Sequence, residues 1–188
     1  MVVCEATLSM KLSTLSICLG LGVAAVKLFG VVKPAAFAAA VRKLPRSLPL
    51  GYVTMLLGTA WFVWNVKGES LADFEQMKPY LYALFIGVGV GACVYVKDFL
   101  GARGLAVVML LLAKLMLDTQ RLADSEWRLV IAVWAYALVV GGMWFTAWPW
   151  RMRDLINWST ANEQRTRLGS GLGVAFGLFV TALGLAVF

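Results

Sequence analysis

The sequence predicts an all-α, polytopic integral membrane protein, a helical bundle of six spans in three hairpins with two interfacial amphipathic stretches. Apolar residues make up 61% of the 188 residues and charged residues 14%, whereas a soluble domain has about 45–50% and about 25%. The apolar residues form long runs, and a helix needs ~20 of them to cross the ~30 Å hydrocarbon layer. The runs lack the ~10-residue polar–apolar alternation of barrel strands.

Six runs follow one another along a single membrane domain, 1–188. The hairpins that they form occupy residues 12–66, 79–117 and 129–188. The fourth run is short and crosses the membrane only if its helix extends to Leu100 and Leu122. If this segment is re-entrant instead, the number of spans falls to five. The runs are Leu12 to Val32, Leu50 to Val66, Pro79 to Val96, Gly104 to Leu117, Leu129 to Trp148 and Leu168 to Phe188.

The first run has an alternative interpretation as a signal peptide. The segment before it carries Glu5 and one lysine, Lys11, and no small-x-small cleavage site closes the run. The run instead continues into Lys33 and Pro34. These features favour a retained span.

The charges of the connections predict the orientation. The first, third and fifth connections carry ten lysines and arginines together, and the second and fourth carry four. Because an excess of Lys and Arg marks the cytoplasmic side, the basic connections are expected there. Both termini then lie on the non-cytoplasmic side, in what we expect to be a bacterial inner membrane.

The first and last hairpins look alike, which predicts an internal repeat. In each, a span ends in an aromatic-rich segment, a proline follows (Pro34 or Pro149), and a basic amphipathic stretch leads to a glycine-bearing span. The two stretches are interpreted as helices in the headgroup plane, with ordinary basic loops as the alternative. The middle hairpin is a candidate for a shortened third copy.

The last hairpin carries the segments Pro149-Trp-Arg-Met-Arg-Asp154 and Arg167-Leu-Gly169, the second at the start of a glycine-containing span. On these segments it resembles a family of small two-span bacterial inner-membrane proteins of uncharacterised function. Leu19 to Trp64 is a second candidate match. The resemblance implies a membrane location and no catalytic residues.

Two helix faces carry small residues at helical spacing. Small residues allow two backbones to approach closely, which is how helices associate in lipid. A subunit interface and packing within the chain are both open interpretations. The predicted packing residues are Gly169, Gly173, Gly177 and Thr181 in the last span, and Gly87 and Gly91 in the third.

Lys27 and Lys114 lie inside apolar runs, and an ionisable residue within a span is a candidate functional residue. Lys27 is near a boundary and can extend its ammonium to the interface. Lys114 has Asp118 four residues later, at the spacing of a helical ion pair. A structural role is the favoured interpretation of both lysines.

Aromatic and basic residues near the span ends are interpreted as anchors at the membrane–water boundary. A lipid, quinone or pigment contact is the alternative for the tryptophans. Asp98 and Arg103 flank the short middle turn and are expected to pair with each other or with headgroups. The predicted anchors are Trp144, Trp148, Trp150, Arg151, Arg153, Arg42, Lys43 and Arg46.

No cofactor is expected. The chain has no histidine, which is the commonest ligand for metals and haem, and Cys4, Cys18 and Cys93 have no metal-binding spacing. The expected partners are membrane lipids and other membrane subunits. Nucleic acid is not expected, because the basic residues that give the net charge of +7 flank the spans.

Three functions are weighed. A structural or accessory subunit of a larger membrane complex is favoured by small size, small-residue faces and short polar segments. A small transporter or channel with parallel hairpin repeats is the alternative, and it rests on the repeat and the two lysines. An enzyme is not expected, because the sequence shows no cluster of a nucleophile, base or metal ligands.

Overall fold

The computed structural model describes residues 11–68, 72–121 and 125–187. Over these ranges the chain forms eight α helices and two short 3-10 helices and contains no strand, which confirms the all-α prediction. Cys4, Glu5 and Phe188 lie outside the described residues. The α helices are α1 (Leu12–Val32), α2 (Pro34–Lys43), α3 (Leu48–Gly68), α4 (Lys78–Tyr95), α5 (Leu100–Gln120), α6 (Arg128–Ala147), α7 (Pro149–Ser159) and α8 (Glu163–Ala186).

The architecture is that of a multi-span helical membrane protein. Five helices, α1, α4, α5, α6 and α8, are each long and apolar enough to cross a membrane. Helix α3 meets the same criterion together with α2 and the 3-10 turn Leu44–Arg46, from which it is bent by 64°. Counting this pair as one span gives six. The short fourth run is a full-length helix, since α5 has 21 residues and starts at Leu100.

The breaks after α1 and α6 have nearly the same backbone geometry. Lys33 has φ −128° and ψ 72°, and Trp148 has φ −128° and ψ 77°. A proline follows each, and proline disfavours the helical conformation of the residue before it. Proline is well tolerated at the first position of the next helix. Each span therefore ends at this residue, and a short helix, α2 or α7, begins at once.

The connection between α4 and α5 has no proline. Val96 ends α4 with φ −112° and ψ 65°, and Phe99 precedes α5 with φ 55°. A positive φ is uncommon for residues other than glycine. The left-handed conformation of Phe99 turns the chain sharply, so that two spans are joined by only four residues, 96–99.

Successive spans alternate in direction. Helices α1 and α8 are antiparallel, because the Ser13 hydroxyl donates to the Gly184 carbonyl at one end while Gly30 faces Ser170 at the other. The pairs α3/α4 and α5/α6 are antiparallel by the same test, whereas α3 and α5 run parallel. The start of α1 and the end of α8 therefore lie at the same end of the bundle.

The packing follows a different pairing from the predicted hairpins. The hairpins describe the connectivity, α1 to α3, α4 to α5 and α6 to α8. The spans that pack extensively are α1 with α8, α3 with α4, and α5 with both α6 and α3. The last helix of each hairpin thus packs on the first helix of the next. Helices α2 and α7 lie between the spans that they connect. Those spans, α1 with α3 and α6 with α8, therefore pack on other helices.

Two apolar clusters fill the bundle, one towards each end, and α5 contributes to both. Of the five candidate spans, α5 is the most buried, at 44% of its apolar stretch, and α4 the least, at 11%. The cluster near the start of α1 contains Leu12, Leu15, Ala113, Met116, Ile131, Ala135 and Val180. The other contains Ala102, Ala106, Phe145 and Met152.

The short helices α2 and α7 and the α4–α5 turn meet at one end of the bundle. Helix α2 packs on α7, and the turn Leu44–Arg46 packs on the start of α5. This end carries most of the positive charge of the described residues and is termed the basic end. Its lysines and arginines are Lys33, Arg42, Lys43, Arg46, Lys97, Arg103, Arg151, Arg153, Arg165 and Arg167.

Candidate functional site

The α1–α8 contact is built from small residues. A Cβ on Gly177 would lie 2.7 Å from the carbonyl oxygen of Gly20 and 2.8 Å from the backbone nitrogen of Ala24. Thr181 is buried and donates its hydroxyl to the Gly177 carbonyl at 2.8 Å. Backbone meets backbone here, so only a glycine fits at position 177. Gly177 and Thr181 therefore pack within this chain.

Gly173 and Lys27 lie in the same contact. A Cβ on Gly173 would be 2.7 Å from Cγ of Lys27, so the lysine stem fills the space that the glycine leaves. The Lys27 ammonium lies 5.7 Å from the centroid of the Phe37 ring on α2. The geometry of Lys27 supports the structural interpretation, since its alkyl chain packs on α8 and its charge faces an aromatic ring.

Gly30 and Gly184 also belong to this contact, although neither is among the packing residues predicted from the sequence. A Cβ on Gly184 would be 3.0 Å from the Ser13 carbonyl oxygen, and one on Gly30 would meet Ser170. The spacing of the contact residues along α1 was visible in the sequence. The α1 positions that face α8 are 13, 17, 20, 24, 27 and 30, and steps of four and three residues mark the seam of a packed helix pair.

Within the part of the chain that the structure describes, the other glycines of the predicted faces have no neighbouring helix. A Cβ on Gly169, Gly87 or Gly91 would meet nothing within 4 Å. Gly89, between the last two, faces α3 instead, where its Cβ would lie 2.8 Å from Cγ2 of Thr59. Helix α4 therefore turns one glycine towards the bundle and two away from it.

Lys114 and Asp118 form the predicted i, i+4 pair. Their ammonium and carboxylate are 2.7 Å apart, and the side chains are 40% and 51% exposed. In water, an i, i+4 pair of opposite charge stabilises a helix by about 0.2–0.5 kcal/mol. The pair lies at the C-terminal end of α5, at the opposite end from the basic end.

The three predicted tryptophan anchors are all exposed on the bundle surface. Trp144 and Trp148 lie in the last turn of α6 and at its break, and Trp150 lies in the first turn of α7. The Trp144 ring stacks on that of Phe145 at 6.2 Å between centroids and 9° between planes. Their surface position near the basic end is suited to a boundary belt.

Arg42 connects the two short helices. Its Nε donates to Oγ1 of Thr160 at 2.9 Å, and its Nη2 donates to the Thr160 carbonyl at 2.6 Å. Thr160 ends α7 and is buried. The planar guanidinium matches two acceptors at once, so Arg42 fixes α2 against α7.

The Phe99 ring makes cation–π contacts with two further arginines. The guanidinium of Arg46 lies 5.2 Å from the Phe99 ring centroid, and that of Arg153 lies 5.8 Å from it. Arg153 also pairs with Asp154 at 2.8 Å. Three segments that are distant in sequence meet at this ring, which is why sequence inspection did not find Phe99.

Arg103 lies one turn further along α5 than Phe99. Its Nε is buried and has no hydrogen-bond partner within the described part of the chain. The expected pair with Asp98 is not among the ion pairs of the described residues. Of the predicted anchors, Lys43 and Arg151 are exposed at the same end.

Over the same ranges, no three cysteine or acidic side chains come together in a way that could hold a metal ion. Comparison of the chain with protein-family models, with curated proteins and with solved structures finds no match.

Proposed function

We propose that this chain is a structural subunit of a larger membrane complex and that it contacts another subunit through α4. The observation that carries the proposal is the edge position of α4 combined with its open glycines. Of the candidate spans α4 is the least buried, and of the other spans it packs extensively only on α3. Gly87 and Gly91 lie four residues apart on its free surface.

The free energy of helix formation supports this assignment. Glycine within a helix costs about 0.5–1 kcal/mol relative to alanine. At Gly177 and Gly89 a neighbouring helix fills the space where a Cβ would be, and the close packing offsets that cost. Among the described residues, no such contact exists at Gly87 or Gly91. A helix of another subunit lying along this face would supply it.

The shortness of the connections between spans also supports this proposal. The longest segments between described spans are built on α2 and α7, which have 10 and 11 residues. Such segments offer little surface outside the bilayer. A partner would therefore be recognised mainly by helix faces within the membrane, where small residues and shape complementarity determine association.

Native mass spectrometry of protein extracted in mild detergent tests the proposal. We expect wild type in a stoichiometric complex with different subunits, and we expect Gly87→Leu/Gly91→Leu to lose them. Gly22→Leu is the matched control, because a Cβ at Gly22 on α1 also meets nothing within 4 Å. Wild type that runs only as a monomer or a homo-oligomer would contradict the proposal.

A small transporter or channel is the alternative. Two observations favour it: the shared geometry of the breaks at Lys33 and Trp148, which fits parallel repeats, and the Ser16 hydroxyl, which is buried without a hydrogen-bond partner among the described residues. Flux measured in liposomes separates the two functions. A transporter predicts flux by the purified chain that Ser16→Ala or Lys27→Met reduces, and the structural subunit predicts none.

We further propose that the protein resides in a bacterial inner membrane with its basic end facing the cytoplasm. The positive charge collected at one end of the bundle supports this orientation. In a cysteine-free background, an impermeant thiol reagent on intact cells should label Glu75→Cys and spare Asn157→Cys. Both native side chains are exposed. The reverse labelling pattern would overturn the orientation.

A further inference from the structure

We propose that Arg46, Arg103 and Phe99 form a binding site for the phosphodiester headgroup of an anionic phospholipid at the basic end. The site combines the turn Leu44–Arg46, the start of α5 and the adjoining face of α7. It does not depend on the partner subunit proposed above, so its failure would leave that proposal standing.

The basic end carries positive charge that few acidic residues compensate. The basic end carries ten lysines and arginines against Asp98, Asp154 and Glu163. Among the described residues its only ion pair is Arg153 with Asp154. Arg42 is held by Thr160, but Arg46 and Arg103 have no acidic partner over these ranges. Phosphate supplies the missing negative charge.

Two arginines lie against the Phe99 ring. The left-handed backbone of Phe99 (φ 55°) precedes the first residue of α5. Arg46 and Arg153 lie 5.2 Å and 5.8 Å from its ring centroid, and an aromatic ring orients guanidinium groups that stack on it. The ring thus contacts one arginine from each of two separate elements. It restricts the side chain of Arg46, the one of the two without an acidic partner among the described residues, which lowers the entropy cost of binding an anion with Arg46.

Over the described ranges, Arg103 adds a second guanidinium without an acidic partner at the same end of the bundle. It is the fourth residue of α5, and the start of α5 packs on the turn Leu44–Arg46. Its Nε is buried without a hydrogen-bond partner among the described residues, so a phosphate would bind the terminal amino groups of this guanidinium. Guanidinium groups bind phosphate oxygens through charge-assisted, often bidentate hydrogen bonds.

A lipid is favoured over a free anion because of where the site lies. It stands at the end of the spans, at the level of exposed Trp150 and Trp158 on α7, and tryptophans mark the headgroup region of a bilayer.

Native mass spectrometry of delipidated protein titrated with phosphatidylglycerol or phosphatidylcholine tests the site. We expect wild type to retain phosphatidylglycerol preferentially, and we expect Arg46→Gln/Arg103→Gln to weaken its binding about tenfold or more, as loss of charged hydrogen bonds would. The matched control is Lys67→Gln/Arg121→Gln, which removes the same charge from exposed positions at the opposite end and should bind as wild type does.

Three results would overturn the proposal: equal retention of the two lipids by wild type, equal loss of binding in the control variant, or displacement of phosphatidylglycerol by millimolar inorganic phosphate. The last result would indicate a site for a free anion. If the double variant is not monodisperse, lipid competition on wild type and the milder Arg103→Lys decide. Arg103→Lys keeps the charge but lacks the planar guanidinium that can donate two hydrogen bonds to one phosphate, so it should bind phosphatidylglycerol measurably more weakly than wild type.

Discussion

Helices α8 and α4 each carry two glycines four residues apart, but only the glycines of α8 pack against another helix of this chain. In α8, Gly173 and Gly177 face α1, where a Cβ would press against Lys27 or against backbone atoms. In α4, Gly87 and Gly91 have the same spacing and face open space. Glycine spacing therefore identifies a helix face, whereas the identity of the neighbour depends on the rest of the fold.

The largest expected effect is at the filled contact. Gly177→Leu should lower the free energy of unfolding by at least about 3 kcal/mol, because overpacking costs 1–3 kcal/mol even where side chains can adjust and here the obstacle is the backbone of α1. Unfolding by SDS in mixed micelles measures this change.

Gly171→Leu on the same helix is the control for that measurement, since a Cβ there meets nothing within 4 Å. It should stay within about 1 kcal/mol of wild type, as surface substitutions usually do. Equal destabilisation by the two variants would mean that α8 does not pack on α1 as described.

A smaller effect is expected within α4 itself. Gly89→Leu should destabilise the bundle by about 1–3 kcal/mol through its clash with Thr59. Gly87→Leu, two residues away, should leave the stability of the isolated chain unchanged or raise it by up to about 1 kcal/mol, because glycine is a poor helix former. The same unfolding titration compares them, and a reversed order would place the open face of α4 on its other side.

The smallest effect is expected at Lys27. Lys27→Met keeps an unbranched stem over Gly173 and loses only the contact between the ammonium and the Phe37 ring. Such a contact is worth about 0.5–1 kcal/mol at an exposed site and about 2 kcal/mol where it is desolvated. Lys27 is half-buried, so the loss of stability should not exceed about 2 kcal/mol. Lys27→Ala, which removes the stem as well, should cost more. Equal effects of both variants would show that the stem contributes nothing to packing.

The sequence was sufficient to predict the helices, but it did not predict which helices pack against each other. Run length and proline predicted the spans and the short helices that start at Pro34 and Pro149, because both depend on local chemistry. The same holds for the pair Lys114 and Asp118, which is set by helical periodicity. The pairing of α1 with α8 depends on which faces fit across the whole bundle, and no local pattern fixes that choice.

The basic end shows the same limit. Its excess of positive charge was readable from the connections, and Arg42, Arg46 and Arg153 were predicted as anchors. Their grouping was not, because Phe99 and Thr160 acquire their roles only when separate segments meet. Arg103 was noted as a neighbour of Asp98, whereas its buried Nε depends on packing around α5.

Site-specific photocrosslinking in native membranes tests the central claim, that α4 faces another subunit, most directly. A photoreactive amino acid would replace Val88 on α4 or, as the control, Val26 on α1, which are 57% and 61% exposed. We predict that position 88 crosslinks to a different polypeptide in defined ratio and that position 26 yields lipid adducts only. Lipid adducts alone at position 88 would contradict the claim.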